Sequence, residues 1–212
     1  MTIDKAGVPF IAGALAPAAA LAAARRYGWA AAFAALGGFL AFFFRDPDRA
    51  VPSDPNLVVA PADGRVMIAG PSEPRWSPPG DWLQIAIFLS PLDVHINRSP
   101  VDGRITRVDY RQGRFLPAYQ PHASENERNE IWIDHHGETV VVRQVVGVLA
   151  RRIVCRVGEG DALARGERIG LMKFGSRMDV FLPRHAHLAV SVGERVVGGE
   201  TVLATLETRA RA

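Results

Sequence analysis

Residues 9–24 and 29–44 are uncharged stretches rich in alanine and phenylalanine, separated only by Arg25, Arg26, Tyr27 and Gly28. Each falls short of the roughly 20 apolar residues that a single spanning helix prefers. Residues 1–49 therefore predict a membrane-associated hydrophobic helical hairpin, entering the bilayer as a tight pair or as two short tilted spans. Arg45 and Arg49 follow the second stretch directly, which favours the cytoplasmic side for what comes after, although Arg25 and Arg26 at its other end blunt that bias. A buried hairpin of a soluble fold competes with this reading, because alanine is only weakly apolar. A secretory leader fits less well, since a charged n-region is nearly absent and two apolar segments stand in tandem.

From residue 50 to 212 the pattern changes to short runs of Val, Ile and Leu broken by Gly, Pro and Asp, the texture of a small barrel or sandwich. The runs predict strands at 57–60, 64–69, 82–89, 103–110, 130–135, 139–146, 153–157, 168–173, 178–181, 188–192 and 201–206, with almost no helix. Segments 158–170 and 192–203 share an order of Gly, acid, apolar pair, Gly, acid, apolar. That order resembles the hammerhead turns of lipoyl and biotinyl carrier domains. It implies a mainly β, barrel-sandwich-like domain in which two such turns set neighbouring strands side by side.

Composition narrows the partners. At 212 residues the chain fits one domain with an appendage. The formal charge of +3 is carried almost wholly by arginine, Lys5 and Lys173 being the lysines. So mild and scattered an excess suits an anionic membrane surface or a phosphate-bearing ligand and does not argue for nucleic acid. The single Cys155 rules out an intramolecular disulfide and sits in an apolar run, as a buried thiol would.

The chemistry concentrates at Phe174-Gly-Ser-Arg177, inside the strand-like run 171–183. A Gly-Ser bond in a tight turn can cut itself: the Ser176 hydroxyl attacks the carbonyl carbon of Gly175, and the absence of a Cβ permits the approach. Elimination from the resulting ester and hydrolysis would leave a pyruvoyl group in place of Ser176. Such a ketone is an electron sink that can form a Schiff base with a substrate amine. A Gly-Ser pair alone is more often an ordinary turn.

Context separates the two readings. The blocks Phe42-Phe-Phe-Arg-Asp-Pro-Asp-Arg49, Pro61-Ala-Asp-Gly-Arg65, Leu89-Ser-Pro-Leu-Asp-Val-His-Ile-Asn-Arg-Ser-Pro100, Asn126-Glu-Arg128 and Gln144-Val-Val-Gly147 stand in order with the Gly175-Ser176 pair. As a set they resemble the short, prokaryotic type of phosphatidylserine decarboxylase proenzyme, from about residue 42 to about residue 202. The resemblance implies self-cleavage into a β chain 1–175 and an α chain 176–212, and pyruvate as the covalent cofactor. It implies conversion of phosphatidylserine to phosphatidylethanolamine at the membrane. The implied partners are the phospholipid, the membrane and the two chains of the same proenzyme, without nucleic acid, and a homo-oligomer is left open.

Self-cleavage needs a base for Ser176 and a carboxylate to orient that base. His95, just after an apolar strand, is the first candidate for proton transfer, and Asp63, in the Ala-Asp-Gly turn, the first candidate carboxylate. A structural histidine and a turn-forming aspartate are their plainer alternatives. Longer members of the family carry a second histidine three residues after the first; here that position is Arg98, which cannot act as a base near neutral pH. Either His95 serves both steps, which is the favoured expectation, or cleavage uses another base or strain at Gly175. Arg98 or Arg128 could hold the substrate phosphate or carboxylate, and Phe115, Phe174 and Phe181 could wall the site against water.

Two rivals come from other classes. Met172-Lys173 after the first Gly-rich turn could present Lys173 as the modified lysine of a membrane-tethered biotinyl or lipoyl carrier, recognised by a mass shift on an uncut chain. Ser176 could be a lasting hydrolase nucleophile, although no Gly-x-Ser-x-Gly elbow surrounds it. His185 and His187 share one strand face but have no third ligand at a recognisable spacing, so no metal is expected. His135-His136 reads as a strand-to-turn corner, and residues 117–126 as a mobile loop able to close over the site.

Overall fold

The computed structural model describes residues 1–148, 152–173 and 176–207, and the backbone alone of Pro121 and His122. Phe174 and Gly175, on which the expected wall residue and scissile bond fall, lie outside the described residues. The chain forms two compact units, Met1–Asp48 and Arg49–Ala212.

In the first unit a short antiparallel pair, Thr2–Ile3 (β1) with Arg45–Asp46 (β2), brings together the two ends of a helical hairpin. Helix α1 is Val8–Ala23 and helix α2 is Tyr27–Phe43. Asp4 accepts a hydrogen bond from the Ala6 amide at 2.9 Å, capping the single turn that leads into α1, and Pro9 occupies the helix start, where its missing N–H costs nothing. The helices bury small residues such as Ala14, Ala18 and Ala30 against each other and leave Phe10, Leu15, Trp29, Leu36, Phe39 and Phe42 exposed. Lys5–Ala23, the longer of the two apolar segments, is long and apolar enough to cross a membrane.

The second unit is mainly β. In chain order its strands are β3 (Leu57–Val59), β4 (Gly64–Pro71), β5 (Trp82–Leu89), β6 (Ile96–Arg98), β7 (Gly103–Arg111), β8 (Arg128–His135) and β9 (Glu138–Val145). There follow β10 (Ile153–Cys155), β11 (Ala162–Leu163), β12 (Arg168–Met172), β13 (Ser176–Pro183), β14 (His187–Leu188), β15 (Arg195–Val196) and β16 (Val202–Thr205). A curled antiparallel sheet runs β11-β7-β8-β9-β13-β5-β4-β15, and two three-stranded sheets, β10-β12-β6 and β14-β16-β3, complete the half-barrel. The core lies inside the curl, where Ile85, Ile87, Ile131, Val142, Met178 and Val180 are fully buried.

The two Gly-rich segments are equivalent but not adjacent. The Gly160 amide donates to the Ile105 carbonyl and the Ile105 amide to Asp161, while the Gly193 amide donates to Val66 and the Val66 amide to Glu194. Gly166 donates to Ser99 and Gly199 to Ala60, repeating the correspondence. The strands they supply, β11 and β15, close opposite ends of the eight-stranded sheet. The expectation of neighbouring strands is corrected here: each turn caps its own strand, β7 or β4, and the copies are kept apart by the strands between.

Strand β13 is buried along almost its whole length because both sides of the sheet are covered there. Ser176, Met178, Val180 and Leu182 alternate with Arg177, Asp179 and Phe181, as the two-residue period of a strand requires. Met178, Val180 and Leu182 belong to the main core, whereas Phe181 packs with Trp82 and Val141 in a separate cluster. Phe181 thus faces away from the side that carries Ser176, contrary to its expected place in the wall of the site.

Candidate active site

Ser176 opens β13 opposite Leu89, the last residue of β5. Its side chain is fully buried, and its Oγ has no hydrogen-bond partner among the described residues. A buried hydroxyl usually finds a partner, because leaving one unmet costs about 1–3 kcal/mol.

His95 is reached from the same end of β5 through the turn at residues 90–93. The Asp93 amide donates to the Ser90 carbonyl at 3.0 Å, and the Asp93 carboxylate accepts from the Ser90 amide and hydroxyl, both at 2.8 Å. Arg195 closes on the other carboxylate oxygen at 2.6 Å. This rigid turn aims the Asp93 carbonyl at Nδ1 of the buried His95 ring, 2.9 Å away. A carbonyl can only accept, so Nδ1 carries the proton and Nε2 the lone pair, the tautomer a general base needs.

Both oxygens of Asp63 lie 2.9 Å from Nη2 of Arg49, the last residue of the Arg-Asp-Pro-Asp-Arg block, and one accepts from the Gly198 amide at 2.8 Å. Nδ1 of His95 meets the Asp93 carbonyl, which orients the imidazole. The turn of Asp63 still meets the strand that follows His95, since the Arg98 amide donates to the Pro61 carbonyl at 2.8 Å.

Behind His95 lies a one-way chain of buried amides. Asn129 donates to Gln144 at 3.0 Å, Gln144 to Asn97 at 2.8 Å, and Asn97 to the main-chain carbonyl of His95 at 3.4 Å. The ladder sets Gln144 beside Met178, on the face that carries Ser176.

The opposite face of β13 holds buried charges. Arg177 reaches both oxygens of Asp179, at 2.6 and 2.8 Å, and Ser124 Oγ at 3.3 Å. Arg143 pairs with Glu130 at 2.8 Å. Burial pushes the Arg177 pKa down, and the adjoining Asp179 carboxylate more than restores it, leaving it above the ordinary value. Arg128 donates to the Ser124 carbonyl at 2.9 Å, and burial, reinforced by nearby Arg143, holds its pKa below the ordinary arginine range. A cavity of about 220 Å³ opens beside this cluster, lined by Ile68, Trp76, Gln84, Ser124 and Arg177 among others.

Comparison with known proteins identifies the lineage. Residues 36–204 match the model of the family described as phosphatidylserine decarboxylase. The chain is 44% identical over 207 residues to the phosphatidylserine decarboxylase proenzyme of Burkholderia ambifaria, covering 97% of this chain and 96% of that one. The proenzymes of Burkholderia vietnamiensis and Burkholderia multivorans match to the same extent. The chain belongs to the phosphatidylserine decarboxylase family.

Membership in this family of decarboxylating enzymes gives the other expected residues their context. Arg98, where longer phosphatidylserine decarboxylases carry the second histidine, is buried, and its Nη1 donates to the Gly166 carbonyl at 3.0 Å. Lys173, which the carrier reading would modify, is half-buried directly after β12. Phe115 is 39% exposed. Among the described residues a possible metal-ligand group is Asp102, His135 and His136, whose ligand atoms lie within 4.8 Å of one another. His136 Nε2 lies 3.0 Å from Asp102 Oδ2, and His135 Nδ1 lies 2.7 Å from the Asp102 carbonyl. These contacts brace the expected strand-to-turn corner. His185 stands 3.6 Å from Glu138.

Sequence reasoning missed Asp93, Arg195, Gln144 and Arg177 as parts of the site. Asp93 and Gln144 stand inside motifs that the sequence displays. Arg177 closes the Phe174-Gly-Ser-Arg177 block and Arg195 lies in the second Gly-rich segment, but Ser124 and Asp93, which they reach, are distant in sequence.

Proposed function

We propose that the chain is a pyruvoyl-dependent phosphatidylserine decarboxylase, made as a proenzyme that cuts itself between Gly175 and Ser176. The observation that supports this reading is the buried hydroxyl of Ser176, which has no hydrogen-bond partner among the described residues and stands at the family's Gly-Ser position.

In the first stage Ser176 Oγ attacks the Gly175 carbonyl carbon, and the peptide C–N bond breaks as the ester forms. Elimination then breaks the Cβ–Oγ bond, leaving the Gly175 carboxylate at the end of the β chain. Hydrolysis exchanges water for ammonia at the new start of the α chain. His95 Nε2 is the proposed acceptor for the Ser176 proton, with its tautomer fixed by the Asp93 carbonyl.

In the second stage the pyruvoyl carbonyl supplies an electrophile for the amine of phosphatidylserine and a sink for the electrons that carbon dioxide leaves behind. His95 returns a proton to the substrate carbon, yielding phosphatidylethanolamine. Arg98 is proposed to hold the substrate phosphate or carboxylate. Arg128 is the alternative; each already donates to a carbonyl, Arg98 to that of Gly166 and Arg128 to that of Ser124. Asp63 keeps the turn at residues 60–64 against the site through Arg49 and Gly198. The exposed apolar side chains of α1 and α2 support association with a membrane, and Arg45 and Arg49 after the second helix favour its cytoplasmic face.

Intact masses under denaturing conditions test the first stage. The wild type should give two chains whose sum equals the parent plus water minus ammonia, and Ser176→Ala a single uncut chain. Production of phosphatidylethanolamine from phosphatidylserine vesicles by the cut form tests the second. One unmodified chain from the wild type would sink the reading.

A further inference from the structure

Cleavage would leave the reactive residue in an exposed mechanical position. Before the cut, residue 176 is tethered by chain on both sides; afterwards it is the first residue of a strand, where ends ordinarily fray. The ladder holds it on one side only. Ser176 pairs with Leu89 of β5, whereas pairing to β9 begins at the next residue, Arg177 opposite Val145. On the β9 side, what keeps the new terminus in register therefore acts through Arg177.

The side chain of Arg177 is built for that. It is 2% exposed, grips the Asp179 carboxylate with two nitrogens, and reaches across to Ser124 in the turn Pro121–Glu125. That turn is itself anchored. Arg128 donates to the Ser124 carbonyl at 2.9 Å, and Asn126 donates to the carbonyls of Leu116 at 2.7 Å and Val146 at 2.8 Å. Val146 directly follows the residue that faces Arg177 in the ladder. The Asn-Glu-Arg block thus fastens a turn to the sheet, and Ser124 in that turn receives the residue next to the cut.

We propose that Arg177 is a positioning residue that, through Asp179 and Ser124, holds the first residue of the α chain in place once the precursor is cut. The proposal rests on the pyruvoyl reading above and assigns a part to the opposite face of β13. It separates two properties that a general folding defect would lose together: the precursor does not need the clamp to cut, and the cut enzyme needs it to turn over.

The test compares full-length wild type, Arg177→Met, Arg177→Lys and Ser124→Ala, with cleavage read by intact mass and kcat and KM read on phosphatidylserine in mixed micelles. The expected result is cleavage as in the wild type for all three variants. In Arg177→Met, kcat falls on the order of 10–100-fold, as a misplaced reacting group would cause, while KM changes less than about twofold. Arg177→Lys should recover part of the loss, and Ser124→Ala should show a smaller fall of the same kind. An uncut Arg177→Met that still melts cooperatively would overturn the proposal, as would a cut one with wild-type kcat. If Arg177→Met does not fold, Ser124→Ala carries the decision: cut and fully active, it too would overturn the clamp. A wild type that never cuts would fail the pyruvoyl reading itself, whereas a wild type that cuts beside indifferent variants would fail the clamp alone.

Discussion

Gln144 has two jobs in one side chain. Its carbonyl receives Asn129 and its amide nitrogen donates to Asn97, all three side chains being buried. Replacing it with leucine keeps the volume and strands a donor and an acceptor together, at about 1–3 kcal/mol for each orphaned group. We expect Gln144→Leu to lower the unfolding free energy of the uncut Ser176→Ala precursor by about 2–5 kcal/mol in urea titration. In the cleavable background it should also slow turnover, because the chain of amides ends on the His95 carbonyl. A loss below about 0.5 kcal/mol, the ordinary range for a surface change, would show that the amides are not coupled. This network also marks how far residue-level reading reaches. Ser176 and His95 are legible because their motifs are local, whereas the amide chain joins positions 97, 129 and 144, which only the closed sheet brings together. One contact of His95 that no motif announces is the Asp93 carbonyl at Nδ1, held by a turn whose hydrogen bonds run within residues 90–93.

Short alternating runs were enough to find most strands, because each keeps an apolar face for the core. The misses are instructive: β6, with Ile96, Asn97 and Arg98 all buried, has no alternation to see, and β13 begins at Ser176, ahead of the expected 178, because Arg177 is buried by its ion pair. The paired Gly-rich turns were legible as a repeat, but sequence similarity carries no information about which strand each copy caps. Their equivalence extends to the strands they serve. A Cβ on Gly64, at the start of β4, would stand 2.2 Å from the Phe88 carbonyl oxygen, and one on Gly103, at the start of β7, 2.3 Å from that of Asp134. In each case the obstacle is backbone, which cannot rotate aside. Gly64→Ala and Gly103→Ala should therefore each destabilise the precursor by about 1–3 kcal/mol, the usual cost of overpacking, and by similar amounts in chemical denaturation. A neutral substitution at one site beside a costly one at the other would break the equivalence.

At the scale of the whole molecule, the two units divide labour. Unit 2 has its own continuous core and contains every residue assigned to the chemistry, so residues 49–212 should fold without the hairpin. The hairpin buries Phe43, Phe44 and a few smaller residues but presents other large apolar side chains outward, which suits a lipid environment better than water. Its helices of 16 and 17 residues measure about 24–26 Å, short of the roughly 30 Å hydrocarbon layer unless the bilayer thins or each end is extended. Its contribution would then be concentration: an enzyme held at the surface meets lipid at a high effective concentration without any new contact in the site. Deleting residues 1–48 should therefore leave self-cleavage intact and release the protein from the membrane pellet after a salt wash. It should lower kcat/KM on phosphatidylserine vesicles on the order of 10²-fold, and leave kcat/KM on a soluble short-chain phosphatidylserine within about twofold of the full chain. Equal losses on both substrates would mean that the hairpin shapes the site itself, and retention in the washed pellet would mean that the β unit binds the membrane unaided.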